Sequence, residues 1–565
     1  MAKSSLRIDI LGTVITISAD EDPSYLQRIL EKYRKTIENV QRISGITDPL
    51  KTAVLAGFLL TEEMEKPENA EKTEARNEAE RLTMGMISLL DEVMPETQPN
   101  LQIQSAANEN FPKDIYRKDG PESETQPSFK ALSPASLRLC GMKFESNVAG
   151  GVFKLQNTVK HYDWGSPEWL PALLGQENQD LAPWAELWMG VNPAGPSRVT
   201  YDETKTDTEA PLLSELISAD SEIMLGNECA AQYGNLPFLF KVLAAAKPIS
   251  IQAHPSTDQA VEGFDRENQE GIPLDAPERN YRDSRHKPEL LCALSPFAAL
   301  CGFRKKQEIY SLINKIAKLS DEEMKADLEN LCSALEQEDE NPLKIFISAL
   351  FSMDTNKLGQ FMVKRQALLE RDLPEYQGEW RLCSYLANIY QKDPSEPGDP
   401  GILAPLFLNL TELKPGDAMY IPAGVPHAYI YGMGIEVMAD SDNVLRGGLT
   451  AKHIDRKELL KILDYSEYRP KIIKAADTDS QAHVFSYPKQ YEEFSLHVLK
   501  SQGEAFSYSA GGPSIILVTE GSVTIRKGGK QGLKMKTGES AFIPAGRNLL
   551  FSGNFCAYAA SCKSL

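Results

Sequence analysis

Long apolar runs are missing from this sequence. None approaches the roughly eighteen residues that a membrane-spanning helix needs, and the N-terminal Met-Ala-Lys-Ser-Ser-Leu-Arg leads into a strand-like alternation instead of an apolar leader core. Positive charge is in deficit: 60 Lys and Arg stand against 80 Asp and Glu, a formal net charge of −20. That balance argues against nucleic acid or an anionic membrane as a partner, while leaving room for a local basic pocket. Cysteine is thin, at 8 in 565 residues, and no two form a Cys-x-x-Cys pair, so a secreted disulfide framework is not expected. Reduced thiols in a cytoplasmic protein are the simplest reading. Histidine is scarcer still: all 7 lie between His161 and His497, which confines any imidazole chemistry to the later part of the chain.

A chain of 565 residues exceeds what one core organises and suggests roughly three to four domains. Leu6, Ile8 and Ile10 alternate, Leu11-Gly12 signals a turn, and Val14, Ile15 and Ile17 resume, which predicts a hairpin. Asp22-Pro23 is a helix start, and Leu26, Leu30, Tyr33, Ile37 and Val40 follow at spacings of 4, 3, 4 and 3, a helix-pairing stripe. A second helix is expected from about Asp48-Pro49, and Leu82, Met86, Leu89 and Val93 repeat the 4, 3, 4 spacing. Residues 1–95 therefore read as a small α+β hairpin–helix domain that buries little surface alone and dimerises through its helices. Residues 96–148, rich in Pro, Asn, Gln, Ser and Glu, read as a disordered linker, and Met142 near its end would permit a separate start. Short strands are expected over 149–304 and 401–470, with a helix at 455–464, and again over 471–565. Between them, Ile309, Leu312, Ile313 and Ile316, then Leu382, Tyr385, Leu386 and Ile389, recur at helix spacing, which makes 305–400 an inserted helical domain in a mainly β protein.

Two segments repeat without gaps. Gly416-Asp-Ala-Met-Tyr-Ile-Pro422-Ala-Gly424-Val-Pro-His427 matches Gly538-Glu-Ser-Ala-Phe-Ile-Pro544-Ala-Gly546-Arg-Asn-Leu549. Each reads as a strand entering a tight Pro-Ala-Gly turn, with the next side chain sent into a barrel. The pattern resembles the second motif of cupins, which implies two jelly-roll barrels. The first copy ends in a metal-capable His427 and the second in Leu549, so the chemistry is expected in the first barrel and a metal-free, structural role in the second.

Ligand-type residues lie in three places. Gln252 and His254 are two apart, on one face of a strand; His286-Lys287-Pro288-Glu289 offers a carboxylate; Pro422-Ala-Gly-Val-Pro-His427-Ala-Tyr429 offers a second imidazole. Two imidazoles, a carboxylate and an amide oxygen suit one divalent ion such as Zn²⁺, with a coordination position left for water or substrate. His286 and His453 read as structural, and the Trp-Gly runs as core and turn elements.

Taken together, these segments resemble type I mannose-6-phosphate isomerases over about residues 149–565. The resemblance is carried by His161-Tyr-Asp-Trp-Gly165, Ala185-Glu-Leu-Trp-Met-Gly190, Lys247-Pro-Ile-Ser-Ile-Gln-Ala-His-Pro255, His286-Lys-Pro-Glu289, Tyr420-Ile-Pro-Ala-Gly-Val-Pro-His-Ala-Tyr429 and Ala439-Asp-Ser-Asp-Asn-Val-Leu-Arg-Gly-Gly-Leu-Thr450. It implies zinc ligation by Gln252, His254, Glu289 and His427, and a sugar-phosphate substrate met by Ser250, Lys287, Tyr429, Glu436, Arg446 and Lys452. Arg446, Lys452 and Ser250 supply the cationic and hydroxyl donors that a phosphate dianion needs. Moving a proton between C2 and C1 through a cis-enediolate requires a relay, for which Glu436 and Lys287 are both candidates. Residues 5–64, through the hairpin from Leu6 to Ile17 and the run Ala53-Val-Leu-Ala-Gly-Phe-Leu-Leu60 before Glu62-Glu63, resemble the cell-division protein ZapA family, which implies oligomerisation and a tubulin-like division protein as partner. The coil after residue 70 is short for that role. Two other readings stand beside these: a different cupin metalloenzyme, such as an oxygenase, and a division-associated scaffold. The amide in the ligand set departs from the usual oxygenase triad, and the intact ligand set argues against a degenerate barrel.

Overall fold

The computed structural model describes residues 4–10, 13–19, 35–36 and 151–562, except 201–209, 319, 321, 338–340, 362–376, 392–396, 478–482 and 529–531. The chain divides into two units, Met1–Gln126 and Pro127–Leu565. In the first, β1 (Ser4–Ile10) and β2 (Thr13–Ala19) form an antiparallel hairpin with Leu6 opposite Ile17 and Ile8 opposite Ile15. The expected helix at 22–40 is described only at Lys35 and Thr36, which are helical; the helices expected at 48–60 and 82–93, and the linker at 96–148, lie outside the described residues.

The second unit is mostly sheet. Two 11-stranded sheets dominate it, and the strand pairs within them are antiparallel. The first contains β3 (Glu186–Met189), β4 (Phe238–Ala245), β5 (Ile251–Ala253), β6 (Glu289–Ala293), β7 (Phe297–Phe303), β8 (Leu408–Leu413), β9 (Asp417–Ile421), β10 (His427–Ala439) and β11 (Leu445–Gly448). The second contains β12 (Ser540–Ile543), β13 (Arg547–Ser552) and β14 (Asn554–Ser561). Phe153–Gln156 pairs with β12, and Arg198–Thr200 joins on its other side, so the strand pairing of the second sheet crosses the boundary that the sequence suggests at residue 471. Such short strands carry too little pattern to announce distant partners.

The two sheets share one apolar core. Phe238, Phe240 and Val242 of β4 meet Phe494, Leu496, Ile515 and Phe542. The alternate residues of β4 belong to the other face, where Leu243 packs with Leu291, Phe297, Met419 and Tyr429. Period-2 alternation therefore assigns Lys241, in an otherwise apolar strand buried at every position, to the interior face of the first sheet.

The repeat is visible in the backbone. Gly416 and Gly538 both take φ +84°, and Gly424 and Gly546 take +78° and +69°, conformations in which a Cβ is strained. After the turn, β10 runs through Gly432 (φ +125°), while its counterpart splits into β13 and β14 around Gly553 (φ +134°). In the second copy, Leu549 is buried in an apolar cluster with Phe506, Phe551 and Phe555.

The helical stretch folds as α1 (Lys306–Ala317), α2 (Glu322–Glu336), α3 (Pro342–Phe351) and α4 (Gln377–Tyr390). Ile309, Ile313, Phe346 and Leu386 pack with Leu406, Phe407, Ala428, Ile430 and Leu445, so the insertion braces β10 and β11 from behind. The helix expected at 455–464 forms over Arg456–Ile462, and Asp455 caps it, accepting from the Glu458 amide at 2.9 Å. Among the described residues no helix is long and apolar enough to cross a membrane.

Candidate metal centre and active site

Cross-strand register assembles the site. Gln252 on β5 lies opposite His427 of β10 on one side and Arg446 of β11 on the other. Glu289 opens β6 opposite Ile421 and Met438. The backbone carbonyl of His254 accepts from the Gly424 amide at 2.8 Å, which ties the segment after β5 to the Pro-Ala-Gly turn that delivers His427.

His254, Glu289 and His427 are buried, and their candidate ligand atoms lie within 4.8 Å of one another. His254 Nε2 is 3.1 Å from Glu289 Oε1, and His427 Nε2 is 3.3 Å from Glu289 Oε2. Both imidazoles are oriented from behind: His254 Nδ1 donates to the Asn443 carbonyl at 2.7 Å, and His427 Nδ1 to the Val425 carbonyl at 3.0 Å. With Nδ1 committed as donor, each ring turns its Nε2 toward the carboxylate. Burial, then the Lys287 ammonium, pushes the His254 imidazole down to about 4, so a proton does not fill that gap near neutral pH. His254 Nε2 is left buried without a hydrogen bond. Converging lone pairs of this kind fit a divalent cation. The amide nitrogen of Gln252 stands 3.3 Å from His427 Nε2; rotation about the terminal bond exchanges it for the amide oxygen, the ligand atom a metal would take.

Around this centre, Lys287 Nζ lies 3.1 Å from Glu289 Oε1. Burial alone would raise Glu289, but Lys287 and His254 hold it well below the usual carboxylate range. The Tyr429 hydroxyl donates to Glu436 Oε1 at 2.9 Å and lies 3.4 Å from Glu289 Oε2. Strict alternation would send residues 429 and 436 to opposite faces; the break at Gly432 resets the parity and brings them together. Burial, then the field of Glu289, raises the Glu436 carboxyl. Ser250 is half-buried just before β5.

Arg446, half-buried, and Lys452, exposed, form a second cluster with Arg282 and Tyr162. Lys452 Nζ lies 5.0 Å from the centre of the Tyr162 ring. Burial, then the neighbouring Arg282, lowers Arg446. Like charges gathered this way attract an anion. The structure thus joins Gln252, His254, Glu289, His427, Lys287, Tyr429 and Glu436 in one network and places Arg446 beside it through Gln252, with Lys452 in the adjoining cationic cluster.

Comparison with known proteins follows the same division. Residues 152–306 match the family model "Phosphomannose isomerase type I, catalytic domain", and residues 6–103 match "Cell division protein ZapA". The mannose-6-phosphate isomerase of Escherichia coli (strain K12) is 40% identical over 395 residues, 69% of this chain and 94% of that protein. The chain belongs to the mannose-6-phosphate isomerase family. The human enzyme of the same family is 33% identical over 66% of this chain and 88% of its own. A crystal structure of mannose 6-phosphate isomerase from Salmonella typhimurium bound to substrate (f6p) and zinc superposes with a TM-score of 0.64 at 34% identity, covering 73% of this chain and 100% of that one.

In this member of the family the network extends to residues that the sequence reading passed over. Lys241 Nζ lies 3.2 Å from Glu436 Oε2 and 4.8 Å from the centre of the Trp188 ring, and the Trp188 indole donates to Glu186 Oε2 at 2.5 Å. Burial opposes the charge on Lys241, but Glu186, Glu436 and Glu289 together hold it protonated. The Trp-Gly runs, read as core, therefore supply Trp188 and Tyr162 to the edges of the site. The sequence did carry one signal, a lone lysine in the apolar run Phe-Leu-Phe-Lys-Val-Leu-Ala-Ala. His286, read as structural, binds Glu493 Oε1 at 2.9 Å.

Because Lys241 lowers the Glu436 carboxyl, Lys241→Met is expected to raise it further. The acid limb of kcat/KM should move to higher pH by about one unit, since the carboxylate form is then lost earlier on acidification. A pH–rate profile superimposable on the wild type would contradict the pairing.

Proposed function

We propose that this chain is a zinc-dependent aldose–ketose isomerase that interconverts D-mannose 6-phosphate and D-fructose 6-phosphate through a cis-enediol(ate). The observation that carries the reading is the convergence of His254 Nε2, His427 Nε2 and the Glu289 carboxylate in a buried pocket, with His254 Nε2 left without a hydrogen bond. Gln252, His254, Glu289 and His427 hold one Zn²⁺. When bound, the ion polarises a substrate oxygen and stabilises the negative charge developing there.

The remaining roles fall to the chain's own groups. Arg446 and Lys452, with Ser250, hold the phosphate and fix the sugar's register. Between the two relay candidates, the geometry favours Glu436: its carboxyl is raised and oriented by Tyr429 and Lys241, whereas Lys287 is committed to Glu289 at 3.1 Å. The Glu436 carboxylate takes the proton from C2 and returns it to C1, while the C2 hydroxyl proton passes to the C1 oxygen, leaving a carbonyl at C2 and a hydroxyl at C1. Tyr429 orients Glu436, and Lys287 keeps Glu289 ionised as a ligand.

The architecture we assign is a pair of cupin jelly rolls: a catalytic one from 149–304 and 401–470, interrupted by the helical domain at 305–400, and a metal-free one at 471–565 whose sheet borrows the strands Phe153–Gln156 and Arg198–Thr200 from the first segment. The matched glycine turns in both sheets support this. Residues 1–95 form a ZapA-like hairpin–helix module that pairs chains into a homodimer, with a tubulin-like division protein as its partner, joined by the linker at 96–148 in a cytoplasmic protein.

Mannose 6-phosphate labelled with deuterium at C2 tests the chemistry. Proton transfer through Glu436 predicts a primary isotope effect and loss of part of the label to water. Unchanged turnover and label distribution in a folded Glu436→Gln variant would remove the relay.

A further inference from the structure

We infer that Asn443 is a positioning residue that makes metal binding and anion binding cooperative, so that each ligand tightens the hold on the other. The inference rests on the reading of the two sites given above. Asn443 is completely buried, and it touches both. Its main-chain carbonyl accepts the Nδ1 proton of His254 at 2.7 Å and so sets the direction of the His254 Nε2 lone pair. Its side chain grips the segment that carries Arg282: Oδ1 accepts from the amides of Arg282 at 2.7 Å and Asp283 at 3.2 Å, while Nδ2 donates to the carbonyls of Asp283 at 2.8 Å and Arg285 at 2.9 Å.

Both lone-pair positions and both amide protons are therefore spent, and the side chain cannot move without taking its main chain along. The neighbours add stiffness: the Asp442 amide donates to Asp283 Oδ2 at 2.8 Å, and Asn192 Nδ2 to Asp442 Oδ1 at 3.1 Å. Three residues after Asn443, Arg446 lies opposite Gln252. An anion that draws Arg282 and Arg446 together relieves the repulsion between them and fixes residues 282–285 against the Asn443 amide. The same residue then fixes the His254 imidazole in its ligating direction. By linkage, a metal that fixes His254 favours the anion-bound arrangement by the same factor.

The test uses the full chain loaded with zinc and follows transfer of zinc to a chromophoric chelator, with inorganic phosphate or with chloride at matched ionic strength. Phosphate is expected to slow release from the wild type about fivefold or more. It should have no effect on Arg446→Ala, which lacks the anion site. In Asn443→Ala and Asn443→Ser, which keep the carbonyl that meets His254 but lose the side-chain grip on residues 282–285, release in chloride should be faster by up to about tenfold, and the phosphate effect should vanish although calorimetry still detects phosphate binding. The serine variant keeps a buried hydrogen-bonding group and serves if the alanine variant does not fold. An undiminished phosphate effect in the folded variants would overturn the inference and assign the coupling to the direct field of the anion. So would a wild type that binds both ligands independently. A wild type that fails to bind zinc or phosphate at all would instead strike the reading of the sites, and the inference would fall with it.

Discussion

Glu289→Gln should release the metal and abolish turnover. The substitution preserves shape but removes the only carboxylate among the four proposed ligands, and it leaves the Lys287 ammonium, 3.1 Å away and buried, without its counter-charge. Even groups that merely orient metal ligands cost 10–100-fold in affinity when removed, so a loss of roughly 100-fold or more in zinc affinity is expected for a direct ligand. Stability should fall as well, by about 3 kcal/mol, because one partner of a buried pair is gone. The sign of the pH dependence follows from Glu289, whose folded pKa is depressed. Its contribution is present above the usual carboxylate range and is lost as pH falls through the folded value, so wild type and variant should converge in acid. Zinc content measured by atomic emission, together with denaturant unfolding at neutral and acidic pH, checks both parts. A variant that keeps one zinc per chain and wild-type turnover would contradict the ligand assignment.

Arg446→Ala should separate chemistry from metal. Arg446 contributes no ligand atom, and among the described residues no carboxylate pairs with it, while burial and Arg282 both disfavour its charge. A cation held at that cost beside Gln252 is what the proposed phosphate site requires. Without it the phosphate loses its main anchor and the sugar its register, so kcat/KM should fall by about 100-fold or more. Bound zinc should stay near one per chain, and inhibition by inorganic phosphate should be lost. Retained turnover in a folded variant would remove Arg446 from the site.

The parts of the site that could be read from the sequence were those encoded by local geometry. Gln252 lies on β5 and His254 just past its end, while Glu289 and His427 follow prolines at strand starts. The repeat was legible because its glycines occupy positive-φ positions that few other residues tolerate, and it separated the His427 copy from the Leu549 copy. The helices of the insertion followed from their apolar spacing.

Lys241, Glu186 and Asn443 escaped because their meaning arises only across strands. Lys241 stands opposite Trp188 on one side and Glu436 on the other, pairings at long sequence separation that no local pattern encodes. Asn443 makes its contacts with residues 282–285 and 254, again far along the chain. The Phe153–Gln156 strand joined the second sheet for the same reason: four residues of alternation do not specify a register.

The central claim, a zinc-dependent sugar-phosphate isomerase, is tested most directly by one assay on the purified full-length protein. Conversion of mannose 6-phosphate to fructose 6-phosphate is measured as isolated, after chelation, and after stoichiometric zinc is restored. The geometry of His254, Glu289 and His427 predicts activity that disappears on chelation and returns with about one zinc per chain. A folded, zinc-loaded protein that leaves mannose 6-phosphate unchanged, or one whose activity survives complete removal of metal, would contradict it.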